Sequence, residues 1–240
     1  MPVGRTVLRV NLDGTAFCLH QGGGVGKISV TKRQCSGAPV ESVPLSQRRC
    51  YMTHVAFICD HPDLPPHMPQ VLVGNEATIP AETLEELNNA LPAIVHLLRQ
   101  RSAWNNAELL VEILKVLKSA LVPFGLSGLQ MMLLLDAASI HISWVVLRAC
   151  FRAGICPCSL PAKKTWLLQP LDTHAIWPLK MCVCVRRLRE RRRASSADGT
   201  ATLREFLDCI ATAIRQILQS HRWANAFDAN GFGQNQSRLS

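Results

Sequence analysis

Acidic residues are scarce in this chain. Its 240 residues include 17 Asp and Glu against 26 Lys and Arg, a formal net charge of +9 with a pI near 9.3. That imbalance disfavours acidic partners and favours polyanions, nucleic acid first. Long hydrophobic runs are missing too. Hydrophobic residues make up 48% of the chain, yet no run reaches the roughly 18 apolar residues of a membrane span. A soluble protein without a membrane partner is therefore expected. The N-terminal MPVGRTVLRVNLDG has neither the apolar core nor the small-residue cleavage site of a signal peptide. Its absence predicts that the ten cysteines stay reduced and form no disulfides. No internal repeat is apparent.

Two familiar signatures also fail. In GGGVGK at 22–27, Gln21 stands where a phosphate-binding loop needs its first glycine, and Ile28 replaces the Ser or Thr that would bind Mg²⁺. Cys156 with Cys158 and Cys182 with Cys184 form C-x-C pairs that lack the two-residue spacer usual for zinc. Residues i and i+2 of a strand face the same way, so Cys156 and Cys158 are expected to fill a core. Eight histidines accompany the cysteines, but no local Cys-His protease signature does. Trp144, Trp166 and Trp177 are expected to be core or groove anchors rather than base-stacking platforms.

The hydrophobic periodicity predicts an α/β fold. VLRVNLD at 7–13 alternates strictly, with Leu8, Val10 and Leu12 on one face, and places Asp13 at the end of a half-buried strand. Gly22-Gly23-Gly24 predicts a turn, GKISVTK a returning hairpin strand, and the polar residues 33–50 a loop. THVAFIC (53–59) and QVLVGN (70–75) follow as strands. The middle reads as helical: Leu84, Leu87 and Leu91 share one face, and Leu109, Leu110, Ile113, Leu114, Leu117 and Leu121 share another. MMLLL at 131–135 is continuously apolar, as a central strand buried on both faces would be, and ends at Asp136. A short helix near 143–152, a strand ICPCSL (155–160) and a helix opening after Pro170 complete the core, with Asp172 in that helix's first turn.

Length allows one buried domain with a small appendage, divided here as residues 1–193 and a C-terminal helical extension and tail at 194–240. In the extension, Thr202 and Glu205 make a capping box. The helix it opens has an apolar face of Leu203, Phe206, Leu207, Ile210, Ile214, Ile217 and Leu218 that must bury against the core or a partner. The closing WANAFDANGFGQNQSRLS shows no periodicity. Charge is uneven: Arg186, Arg187, Arg189, Arg191, Arg192 and Arg193 crowd together, whereas Glu76, Glu82, Glu85 and Glu86 sit in a stretch without a base. A solvated helix face explains the arginines as well as a phosphate contact or nuclear-import signal does.

An aspartate at an element's end is by itself more often a cap or turn former than a catalytic group. The words around three of them are more specific. VNLDGTAF at 10–17, LLLDAASIH at 133–141 and LLQPLDTHAIWPLK at 167–180 resemble the three acidic motifs of the DDE superfamily endonuclease domain, the catalytic part of pogo- and Tigger-like transposases. The second and third acids lie 36 residues apart, and the likeness spans roughly residues 7–185.

The resemblance implies a ribonuclease-H-like mixed sheet flanked by helices. It also implies convergence of Asp13, Asp136 and Asp172 on Mg²⁺ or Mn²⁺ at one sheet edge, and cleavage and joining of DNA. Hard cations prefer oxygen ligands, and crowded carboxylates repel unless a cation offsets them. His141, Gln169 and His174 would support the acids, and Lys163, Lys164, Arg186 and Arg187 would touch DNA. A nuclear protein and a homodimer follow from the same likeness. The alternative is a recruited, non-catalytic DNA-binding or protein-interaction module. Gly14 and Ala137 depart from the usual motif neighbours. Active family members carry helix-turn-helix domains before the first acid, where this sequence has twelve residues, so specific recognition of transposon ends is expected to be absent.

Overall fold

A computed structural model describes residues 6–17, 52–101, 106–125, 129–193, 203–220 and 222–233. Its centre is a six-stranded sheet: β1 (Thr6–Phe17), β2 (Met52–Cys59), β3 (Gln70–Asn75), β4 (Val95–Gln100), β5 (Leu129–Leu135) and β6 (Ile155–Ser159), in the order β4-β3-β2-β1-β5-β6. The pairs β1–β2 and β2–β3 are antiparallel, while β1–β5, β5–β6 and β3–β4 are parallel. An antiparallel meander continued by parallel strands behind crossover helices is the ribonuclease-H-like arrangement, here with β4 added at one edge.

Side-chain parity sorts the core into two layers. Leu8, Val10 and Leu12 of β1, with Val55 and Phe57 of β2 and Leu133 and Leu135 of β5, face α2 (Ala107–Leu121) and α3 (Trp144–Arg152). Alternate residues, among them Phe17, Ala56, Ile58, Leu72 and Leu134, face the other way. There they meet α5 (Ile176–Arg193), α6 (Leu203–Ile214) and α7 (Ala224–Ala229), and α1 (Ala81–Ala90) adds Leu84 and Leu87 to the same side. The apolar face of α6 is thus buried on the core, with Phe206, Leu207, Ile210 and Ile214 all enclosed. α7, which the sequence pattern does not reveal, inserts Phe227 into the same cluster.

The returning strand expected at 26–32 lies outside the described residues, among which the antiparallel partner of β1 is β2. The middle is not helical throughout, because β4 stands between α1 and α2. It pairs in parallel with β3, and Val95 and Leu97 join the core. β4 is an edge strand, and Asn88 of α1 covers part of that edge: its Nδ2 donates to Leu97 O (2.9 Å) and its Oδ1 accepts from Leu97 N (2.7 Å). The opposite edge, β6, tolerates Pro157 because an edge strand has spare N–H positions.

A buried glutamine closes the end of the β2–β3 ladder. Gln70 Nε2 donates to Phe57 O (2.8 Å), and Gln70 Oε1 accepts from Phe57 N (3.3 Å), so the amide substitutes for the next residue of a neighbouring strand. The same oxygen faces His54 Nε2 at 3.0 Å, which requires that nitrogen to carry the proton. Gln70→Leu should cost about 2–4 kcal/mol, because several buried polar groups lose partners together. Urea unfolding measures it, and a loss under about 1 kcal/mol would show that the amide is not holding the ladder.

Candidate active site

β1 outruns its neighbour. Its parallel pairing with β5 ends at Asn11↔Leu134, while its antiparallel pairing with β2 continues to Phe17↔Met52. Asp13 therefore lies inside β1, opposite Ala56, rather than at the strand's end. Continuing the β1–β5 register by two residues sets Asp13 beside Asp136, the first residue after β5. Parity completes the placement: Asp13 follows Asn11 and Asp136 follows Leu134 by two, so both acids point to the α5 side. This is the carboxyl end of the parallel strands, where α/β sheets generally place ligands.

Asp172 arrives from that side. It sits in a π-helical turn, Leu171–Ala175, that leads into α5. The turn is tied to the sheet by two buried side chains. Asn11 Oδ1 accepts from Leu171 N (2.8 Å), while Asn11 Nδ2 reaches Leu134 O (3.2 Å) and Leu12 O (3.3 Å). Gln169 Nε2 also donates to Leu12 O (3.3 Å). Asn11 thus touches all three segments that bear the acids. Asn230 supports the turn from outside: its Nδ2 donates to Leu167 O, and its Oδ1 lies 3.1 Å from the Thr173 hydroxyl. Asn11 lies within the VNLDGTAF motif but is not singled out there, and Asn230 belongs to no motif, since a polar residue in a short segment reads as exposed.

The electrostatics show the acids acting on one another. Burial, then the charge of Asp172, a hydrogen bond with it and the charge of Asp136 together push the Asp13 carboxyl up to about 8, against a single opposing hydrogen bond from Gly14 N (2.8 Å). Asp13 therefore holds a proton that an isolated aspartate would have lost. Asp136 moves the other way. Its bond with His141 holds its carboxyl below the usual range, aided by Ala138 N at 3.1 Å. Among the described residues both contacts fall on Oδ1, which leaves Oδ2 for another ligand.

The supporting residues divide. His141 is buried against Asp136 and Gln169 against β1, each holding part of the acid cluster. His174 is exposed and bonds the Thr173 hydroxyl (2.6 Å) rather than an acid. Lys163 and Lys164 are exposed in the turn after β6, at the acids' end of the sheet. Arg187 is not a surface contact: it is 8% exposed, with its guanidinium 4.8 Å above the Phe206 ring, where it packs α5 on α6. Arg186 is half-buried and Arg189 exposed, and the side chains of Arg191, Arg192 and Arg193 lie outside the described residues.

Among the described residues, no three Asp, Glu, His or Cys side chains close around a common point. The donor set nonetheless fits a hard divalent cation. Three carboxylates lie at one edge, Asp13 is held protonated first by burial and then by the charge of Asp172, and Gln169 Oε1 is buried without a hydrogen-bond donor among the described residues.

The chain is a ribonuclease-H-like sheet that carries acids on β1, at the end of β5 and in the turn before α5. The DDE superfamily endonuclease model matches residues 55–227, nearly three-quarters of the chain, and the chain belongs to that family. The matched range includes Asp136 and Asp172 and begins after Asp13. Among solved structures, the chain is similar to the "Mos1 transposase paired-end complex with left transposon end" (15% identity, TM-score 0.41, 94% of this chain and 56% of that one). It is also similar to the "Mos1 mariner paired end complex with Mn" (15% identity, TM-score 0.41, 93% and 55%). The chain thus spans little more than half the length of those proteins. No curated protein matches it in sequence. No helix among the described residues is long and apolar enough to cross a membrane.

Proposed function

We propose that this chain is the catalytic core of a DNA endonuclease and strand transferase in which Asp13, Asp136 and Asp172 hold Mg²⁺ or Mn²⁺. The observation that carries this reading is the placement of the three acids at one edge: the β1–β5 register sets Asp13 beside Asp136, and Asn11 ties the Asp172 turn to the same strand. Divalent cations held there would activate an attacking hydroxyl and stabilise the leaving oxygen of a phosphodiester.

The chain's own residues prepare the exchange. His141 and Ala138 N keep Asp136 ionised and fix its Oδ1. Asp13 gives up its proton when a cation offsets Asp172 and Asp136. Asn11 and Gln169 hold the Asp172 turn against β1. Lys163 and Lys164 supply positive charge for the DNA backbone. Chromosomal DNA as substrate, a nuclear location and pairing of two copies belong to the same reading, which the net charge of +9 supports.

The test is calorimetric titration of the full chain with Mn²⁺, beside Asp136→Asn shown to be folded by circular dichroism, followed by plasmid nicking. Saturable binding should vanish in the variant, and nicking should fall on the order of a thousandfold, equivalent to about 4 kcal/mol of barrier. Absence of binding by the folded wild-type chain with DNA present, or binding unchanged in the variant, would leave the non-catalytic module as the better account.

A further inference from the structure

Tryptophans normally bury, and the indoles of this chain were expected to anchor a core or groove. Trp144, Trp166 and Trp177 are instead 72%, 67% and 60% exposed. Trp166 differs from the other two in being pinned: its Nε1–H donates to Lys163 O at 3.0 Å, so the exposed ring is held in one orientation. It lies in the one-turn helix α4 (Thr165–Leu168), directly after the turn that leaves β6.

That turn is itself unusual. Lys164 N donates to Pro161 O (3.2 Å), and Lys163 occupies the third position of the turn with φ of 64°. Glycine or asparagine normally fills such a place, because a side chain there costs roughly 1 kcal/mol or more. The strained residue is also the one whose carbonyl receives the Trp166 indole. Backbone strain of this kind tends to persist where the local shape serves a site. Pro161, Ala162, Lys163, Lys164, Trp166 and Leu167 are all exposed, with two positive charges and no acid between them. Three residues beyond Trp166, Gln169 turns inward to bond Leu12 O, next to Asp13, so the exposed stretch leads directly into the acid cluster.

We propose that Trp166, with Lys163 and Lys164, forms a platform that stacks an unpaired nucleobase and holds its flanking phosphates beside the three acids. The subsite rests on the reading of the acids as a DNA-cleaving centre and adds to it a preference for strands that are open near the scissile bond. A rigid, exposed indole offers a stacking face without further ordering, every base has a face to match it, and lysines supply the backbone charge. A fully paired duplex presents no free face to such a ring. Blunt duplex should therefore be gripped by the lysines alone.

Fluorescence anisotropy in EDTA tests this on the full chain, using a single-stranded oligonucleotide, a duplex with an unpaired end and the same duplex blunt. Trp166→Ala should weaken the first two by about tenfold and leave the blunt duplex within about twofold, while Trp166→Phe, which keeps a ring, should recover most of the loss. Lys163→Gly, which suits the positive φ, should weaken all three probes alike and lower the salt dependence. The platform is refuted if Trp166→Ala leaves single-strand binding unchanged, if it weakens the blunt duplex equally, if Phe is no better than Ala, or if the wild-type chain binds none of the probes. Binding in EDTA is read without any cation, so it reports on the platform separately from the cation site. Failure of the platform with Mn²⁺ binding intact would spare the proposed function, and the reverse pattern would spare the platform.

Discussion

In EDTA, the unfolding free energy of the wild-type chain should stay nearly level between about pH 4 and 6.5 and then fall toward pH 8; in Asp13→Asn it should instead rise up to pH 6.5 and then level off. The shape follows from the two largest shifts in this pH range, which have opposite signs; burial also lowers half-buried His96, which adds a smaller slope of the His54 sign below pH 6.5. Asp13 has its carboxyl raised from 3.8 to about 8, so its stabilising contribution is complete below about pH 4 and is lost as pH climbs through 8. At about 1.4 kcal/mol per pH unit, the loss has an upper bound of about 6 kcal/mol, reduced in practice by its coupling to Asp172. His54 is fully buried, and burial lowers it from 6.5 to about 4 despite the Gln70 bond. It must stay neutral in the fold, so it destabilises the chain as pH falls from 6.5 toward 4, by up to about 3 kcal/mol. Between those values the two proton uptakes oppose each other, and above 6.5 only Asp13 remains.

The asparagine variant removes the titration while keeping the shape of the side chain, which leaves the histidine slope alone. Urea unfolding at a series of pH values reads both curves. If the variant's curve parallels wild type between pH 6.5 and 8, Asp13 is not the strained carboxyl and the acids do not converge as described. Adding Mn²⁺ at pH 8 should restore stability to wild type and not to the variant, since a cation that binds only the native state stabilises it by mass action. A protein that becomes less stable toward physiological pH until a cation arrives is trading stability for a preformed ligand set.

The sequence carried the sheet and the acids unequally well. Strands β1, β2, β3, β5 and β6 were legible because each is long enough for alternation or a continuous apolar run to stand out. β4 was not: VHLLRQ lies between two leucine-rich helices, its leucines continue their spacing, and only pairing with β3 makes it a strand. Asp13, Asp136 and Asp172 were found through the words around them rather than through periodicity. Gln169 came with the same words, whereas Asn11 and Asn230 are buried polar groups that support the Asp172 turn through partners 160 and 63 residues away along the chain. Local pattern has no access to contacts of that range. Arg187 and Trp166 invert the usual rules, the charge buried on an aromatic ring and the indole exposed, because tertiary packing decides both.

Asn11 is where fold and site meet, and its removal should lower both stability and Mn²⁺ affinity. Asn11→Ala strips the acceptor from Leu171 N and the donors from Leu12 O and Leu134 O, all buried, and should cost about 3 kcal/mol. A core truncation does as much, so stability alone cannot separate a positioning residue from a packing one. Val10→Ala supplies the comparison: Val10 is the preceding residue on the same strand, fully buried on the opposite face, and should cost about 1–3 kcal/mol. Asn11 reaches the Asp172 turn and Val10 does not, so Mn²⁺ affinity should fall about tenfold or more in folded Asn11→Ala and stay within about twofold in Val10→Ala, as for other residues that orient ligands from behind. Equal losses of Mn²⁺ affinity in the two variants would reduce Asn11 to a structural hydrogen-bonding group. Loss confined to Asn11→Ala would show that one amide on β1 sets the distance between an acid on the sheet and an acid on the helix 159 residues later.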